Sequence, residues 1–310
     1  MSRKQTAALF ALLGLLWGGS FVAIEIGLDF FPPILFAALR YYLAGALMLG
    51  YAALTTDRWL PRRRTEWLIV GISGTFLIAG HHAFLYLGQR HVPGAIAAVI
   101  ISLSPVLTTA FASVLLPDER LRPLGLVGLA CGLLGVAIIA NPDPQNLFTA
   151  NVLGIATVFV ASVSFALGAV LTRPIRTDFP VQSVQSWAMV FGAALLHVVS
   201  LARGESFVAI AWTQTAFLSL AYLAVGSGAV AFFIYFDLLD RLGPIQINLI
   251  GYLEPVWATL LSFVLFGTLI GARSVLGFLA IFCGFALVKR AALLDGVGAV
   301  VSRLRTHADS

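Results

Sequence analysis

Residues 94–116 read GAIAAVIISLSPVLTTAFASVLL, and residues 244–266 read PIQINLIGYLEPVWATLLSFVLF. Each is an apolar run of 23 residues. At ~1.5 Å per residue, either run is long enough to cross ~30 Å of hydrocarbon as a helix. Laid over each other, Leu103-Ser104-Pro105-Val106 meets Leu253-Glu254-Pro255-Val256 at an offset of 150. A proline in mid-run has no N–H and frees a carbonyl, so Pro105 and Pro255 are expected helix breaks.

The rest of the chain has the same character. Of its 310 residues, 60% are hydrophobic and 11% charged, against about 25% charged in a soluble domain. That surplus of apolar surface calls for lipid as solvent, where the backbone must bond to itself as helices or a closed barrel. A barrel would alternate polarity over segments of about ten residues. The long unbroken runs predict an all-α membrane protein instead. Ten spans are expected, near 7–28, 33–54, 67–87, 94–116, 124–140, 152–172, 181–202, 214–236, 244–266 and 271–288. The connections are short and hold the punctuation, as in Phe31-Pro32-Pro33 and Asn141-Pro142-Asp143-Pro144. The first run follows Arg3 and Lys4 but outlasts the ~7–15-residue core of a signal peptide, so it reads as a retained helix.

The net charge of +5 points to topology rather than to nucleic acid. With the N-terminus in the cytoplasm, fifteen Lys and Arg residues fall on the cytoplasmic side, against Arg90, Arg203 and Arg273 opposite. Arg40 lies inside a span. This asymmetry predicts a multi-pass inner-membrane protein with both termini cytoplasmic. Cys131 and Cys283 lie within apolar runs and read as small packing residues.

Further pairs extend the match between the halves: Phe84 and Tyr86 with Phe233 and Tyr235, and Gly128 and Gly135 with Gly277 and Gly284. The expected division is a first five-helix repeat over 1–140, a second over 141–290 and a cytoplasmic tail over 291–310. Five is odd, so two such halves must cross the membrane in opposite senses. Inverted repeats of this kind build transporters, with the substrate site near the midplane between them.

The motifs Leu16-Trp17-Gly18-Gly19-Ser20-Phe21 and Ala38-Leu39-Arg40-Tyr41, with the two proline tetrapeptides, give a resemblance to a known family. The chain resembles the EamA-type members of the drug/metabolite transporter superfamily, over about residues 7–290. The resemblance implies ten helices around a central cavity, alternating access, and often export of amino acids or related metabolites. It also implies an acid at the end of each repeat's fourth helix. Glu119 fits that place, whereas Thr268 and Leu269 in the second half offer no acid.

Ionisable groups inside a span cost about 2.5–3.5 kcal/mol each on insertion scales, so each needs an account. Glu254 sits near the midplane of the ninth span, either as a cation or proton site or as an acid bonding a neighbouring helix. Arg40, seven residues into the second span, either pairs with Glu25 of the first span or receives a substrate carboxylate. Pairing is slightly favoured. His82, Tyr86 and Gln89 share one helix face, for substrate or for a neighbouring helix. His81 points away from His82, and with no third ligand no metal site is expected. Trp17, Phe21, Tyr41, Tyr252 and Trp257 could line an apolar cavity, and Asn248 is a polar candidate on the ninth span. Gly14 and Gly18 mark a close-contact helix face.

These readings together describe a secondary transporter or facilitator for a small organic metabolite, with export favoured. Its expected partners are that solute and the bilayer, with no cofactor and no nucleic acid; homodimerisation is left open. The alternative is an integral membrane enzyme acting on lipid-linked substrates, for which no catalytic constellation is recognisable.

Overall fold

The computed structural model describes residues 3–117, 123–142, 148–247 and 249–288. Asn248, Glu119 and the tail over 291–310 lie outside the described residues. Within them every regular element is a helix. Eight helices are long and apolar enough to cross a membrane. They are α1 (Arg3–Gly27), α2 (Pro33–Thr55), α3 (Arg64–Gln89), α4 (Gly94–Leu115), α5 (Pro123–Ala140), α6 (Ala150–Leu171), α7 (Val181–Ala202) and α8 (Gln214–Leu242). Two shorter apolar helices follow, α9 (Ile250–Phe266) and α10 (Ala272–Val288), with a single turn, Pro244–Ile247, ahead of α9.

Local chemistry sets the ends. Pro33 opens α2, where a missing N–H costs nothing. Thr149 and Thr213 cap α6 and α8, their hydroxyls accepting from the amides of Val152 and Ala216. The α3 helix starts three residues before the expected span. Its Glu66 carboxylate accepts from the Arg62 and Arg63 amides at 2.6 and 3.0 Å and pairs with Arg58. The α8 helix runs six residues past its expected end, its last turn carrying an Asp237–Arg241 pair at 2.5 Å. Gly267 ends α9 at φ +67°, a conformation glycine adopts without steric cost.

Two long helices are locally unwound at matching places. In α3 the stretch Ser73–Gly80 is π-helical, and the His81 amide reaches back five residues to Phe76 O. In α8 the stretch Tyr222–Val230 is π-helical, and the Ala231 amide reaches Gly226 O. Ser73 and Tyr222 are 149 positions apart, the spacing of the Phe84/Phe233 match. The proline tetrapeptides behave less alike. In α4 the α-helix is interrupted at Ser102–Leu103, where the Leu103 amide turns to Ile100 O, and Pro105 lies in the first turn of the resumed helix. Pro255, by contrast, sits inside an unbroken α9, so the break expected there is absent. The carbonyls of both prolines accept a threonine hydroxyl one turn on, from Thr109 at 3.0 Å and Thr259 at 2.7 Å.

Contacts between helices fix their relative directions. The α2 and α7 helices run opposed, since Gly45 meets Val190, and Ser186 donates to Met48 O at 2.9 Å. The α3 and α7 helices run the same way, Trp67 meeting Trp187 and Gly74 meeting Phe191. So do α2 and α8, with Arg40 on Ser227 and Tyr51 on Phe233. It follows that α3 and α8 run in opposite directions. The small residues sit where backbones touch. A methyl on Gly18 would come within 2.6 Å of Glu254 O, and one on Gly135 within 2.6 Å of Gly277 O. The Gly14–Gly18 face is thus the seam between α1 and α9.

Candidate functional site

Arg40 is a buried ionisable group within α2. Its place on α2 turns the guanidinium toward α3 and α8, and the residue is only 5% exposed. Nη1 donates to the Tyr86 hydroxyl at 3.3 Å and Nη2 to Ser227 Oγ at 3.1 Å. The charge also stands over the Tyr41 ring, 5.0 Å from its centroid. Nε is buried without an acceptor. No described carboxylate lies within 4 Å of the guanidinium.

The expected Glu25–Arg40 pair is therefore not formed. Glu25 instead accepts the Gly94 amide at 2.7 Å, one of the orphan donors at the start of α4. That bond holds the end of α1 against the α3–α4 turn, away from Arg40.

A ring of side chains surrounds the guanidinium. Tyr41 donates its hydroxyl to His82 Nε2 at 2.5 Å, because His82 Nδ1 faces Ile78 O at 2.9 Å and must carry the proton there. His81 Nδ1 donates to Ala161 O on α6 at 3.0 Å. The two imidazoles send their bonds apart, although their rings meet edge to face at 4.5 Å. Trp17 donates Nε1–H to Ser227 O at 3.2 Å and packs against Phe232 and Tyr235. Ser227 thus meets α1 through its carbonyl and α2 through its hydroxyl, from inside the π-helical stretch of α8. It was not singled out from sequence. Its one signal there is Gly226-Ser227-Gly228, a small polar interruption of an apolar run.

The His82, Tyr86 and Gln89 stripe is buried and faces protein in this conformation. Each residue ties α3 to a neighbour: His82 and Tyr86 to α2, and Gln89 to α1 through Phe21 O at 2.9 Å. Gln89 Oε1 is buried without a partner. Gln89 also lines an open cavity of ≈380 Å³ with Glu25, Asp29, Arg90 and His91, at the end of the bundle that carries the α1–α2 and α3–α4 turns.

The candidates on α9 form a second group. Glu254 is half-buried and makes no hydrogen bond or ion pair with described residues. Tyr252 packs on Phe285 and half-buried Trp257 packs against Gly14 and Gly18; the Tyr252 hydroxyl and Trp257 Nε1 find no partner among the described residues. The structure thus separates the candidates into a bonded cluster at Arg40 and an unbonded set of polar groups on α9.

Comparison with known proteins gives a consistent picture. The family model described as the EamA-like transporter family matches twice, at residues 5–141 and 152–290. The chain is 29% identical over 257 residues to the uncharacterized inner membrane transporter YedA of Escherichia coli strain K12, covering 82% of this chain and 80% of that one. It is 26% identical over 314 residues to a protein of Salmonella typhimurium strain LT2 named a probable amino-acid metabolite efflux pump, covering 96% and 100%. A solved crystal structure aligns with a TM-score of 0.63 at 24% identity, over 94% of this chain and 99% of that one, which speaks to the fold.

Proposed function

Because the chain belongs to the EamA-like transporter family, we propose that it is an inner-membrane secondary transporter or facilitator that moves small organic metabolites, amino acids or their relatives, outward by alternating access. The observation that carries this reading is the tandem family match combined with helix direction. The third helix of the first matched segment and the third of the second run in opposite senses. That relationship supports ten crossings arranged as two inverted five-helix repeats, over 1–140 and 141–290, with both termini cytoplasmic. The matching π-helical stretches, Ser73–Gly80 and Tyr222–Val230, support it as well.

In this reading Arg40, His82, Tyr86, Gln89 and Trp17 belong to the solute route on one side of the seam, with Glu25 at its mouth. Glu254, Tyr252 and Trp257 belong to it on the other. Glu254 is the proton-exchanging group, because it is an acid within α9 to which no described residue offers a bond. The efflux-pump name of the Salmonella relative favours export and an amino-acid-like solute. The transporter names also disfavour the enzyme reading.

Reconstitution in sealed liposomes tests the proposal. A panel of labelled amino acids should reveal at least one solute that exchanges only when the protein is present. Glu254→Gln should keep that exchange while removing its dependence on a pH gradient. Chemical conversion of a solute without translocation would sink the transport reading. A pH dependence that survives Glu254→Gln would remove the proton role.

A further inference from the structure

We infer that Arg40 is the docking point for the carboxylate of the transported solute. This deepens the transport reading and rests on it.

A guanidinium removed from water and left without a counter-ion costs several kcal/mol, so one kept within a bundle marks a partner or a substrate pathway. Among the described residues its partners are all neutral, the Tyr86 hydroxyl, Ser227 Oγ and the Tyr41 face. None of the described acids of the bundle pairs with it. Glu25 is bonded to the Gly94 amide, Glu205 to the amides of Ile34 and Leu35, and Glu254 makes no bond to Arg40. Nε–H is buried and unanswered, while the two Nη donors are held in place from α3 and α8. Nε–H and the adjacent Nη–H form the side fork of the guanidinium, which matches the two oxygens of a carboxylate. The fork is thus oriented by neutral bonds on its other donors.

The site also needs a path from solvent. Gln89 lies three residues beyond Tyr86 on α3, ~4.5 Å along the axis, and lines the ≈380 Å³ cavity. That cavity is not lined by Arg40 or Tyr86, so the path requires the Gln89–Phe21 bond to break and the bundle to part there.

The test uses the purified full-length protein in detergent, with sodium acetate as the smallest carboxylate. Acetamide serves as its neutral isostere and sodium chloride as the inorganic anion at equal ionic strength. Thermal unfolding of the wild type should rise saturably with acetate and not with acetamide or chloride. Arg40→Lys keeps the charge and loses the fork, and should weaken acetate by about tenfold. Arg40→Gln should abolish the shift; if it fails to fold, the lysine variant carries the test. Equal shifts from chloride and acetate, or from acetamide and acetate, overturn the carboxylate assignment. So does an undiminished acetate shift in Arg40→Lys. Failure here leaves the liposome exchange assay standing, whereas acetate binding without any solute exchange defeats the transport reading alone.

Discussion

Arg40 Nη2 stands 3.1 Å from Ser227 Oγ, joining a buried charge of the first matched segment to a π-helical turn of the second. The same serine accepts Trp17 Nε1–H through its carbonyl and passes its hydroxyl proton to Leu223 O at 3.1 Å. Three helices, α1, α2 and α8, therefore converge on one small residue. π-helical turns are frequent at functional sites because they expose backbone groups that an α-helix would consume.

Ser227→Ala should destabilise the protein by about 1–3 kcal/mol, since it strips a buried charged donor of its acceptor. Ser227→Thr keeps the hydroxyl and should recover most of that loss. Thermal unfolding of both variants in one detergent measures the difference; equal values for alanine and wild type would mean that the bond contributes nothing.

The α1–α9 seam makes a second expectation. A methyl on Gly18 would meet Glu254 O at 2.6 Å, whereas one on Gly50 meets nothing within 4 Å. Gly18→Ala should cost roughly 1–3 kcal/mol through forced separation of the helices. Gly50→Ala should be neutral or stabilising by up to ~1 kcal/mol, because alanine is the better helix former. Melting temperatures that move together in the two variants would contradict the close approach at Gly18.

Glu205, from the α7–α8 connection, caps the start of α2. Its carboxylate accepts from Ile34 at 3.3 Å, Leu35 at 2.8 Å and the Ser200 hydroxyl at 3.0 Å. Glu205→Ala should cost ~1–2 kcal/mol, as for other lost helix caps. Hydrogen exchange at the Ile34 and Leu35 amides should speed up locally; unchanged protection there would show that the cap is not holding the turn.

The span limits were largely legible, because run length and terminal proline or threonine are local signals. Three limits differ by four residues or more: α1 begins at Arg3, α9 begins at Ile250, and α8 runs on to Leu242, where the Asp237–Arg241 pair one turn apart is something an apolar pattern does not weigh. At the site, Arg40, Tyr86 and Gln89 were legible as polar residues in lipid-length runs. The partner of Arg40 was not. Glu25 is its nearest acid by helix order, yet Glu25 is drawn to the open amide of Gly94. Ser227 escaped notice because serine is small enough to pass in an apolar run.

Hydrophobic patterning by itself determined that this chain lives in a bilayer as a bundle of helices, and the doubled motifs determined that its halves correspond. Both follow from properties carried by each segment alone, namely its length, polarity and order. Which groups touch was decided only in three dimensions. Arg40 meets Ser227 across 187 positions of chain, and that contact exists because α2 and α8 pack side by side in the same direction. No local pattern encodes a packing angle. The same holds for the neutral company that Arg40 keeps among the described residues, which depends on where Tyr86, Ser227 and Glu25 direct their own bonds.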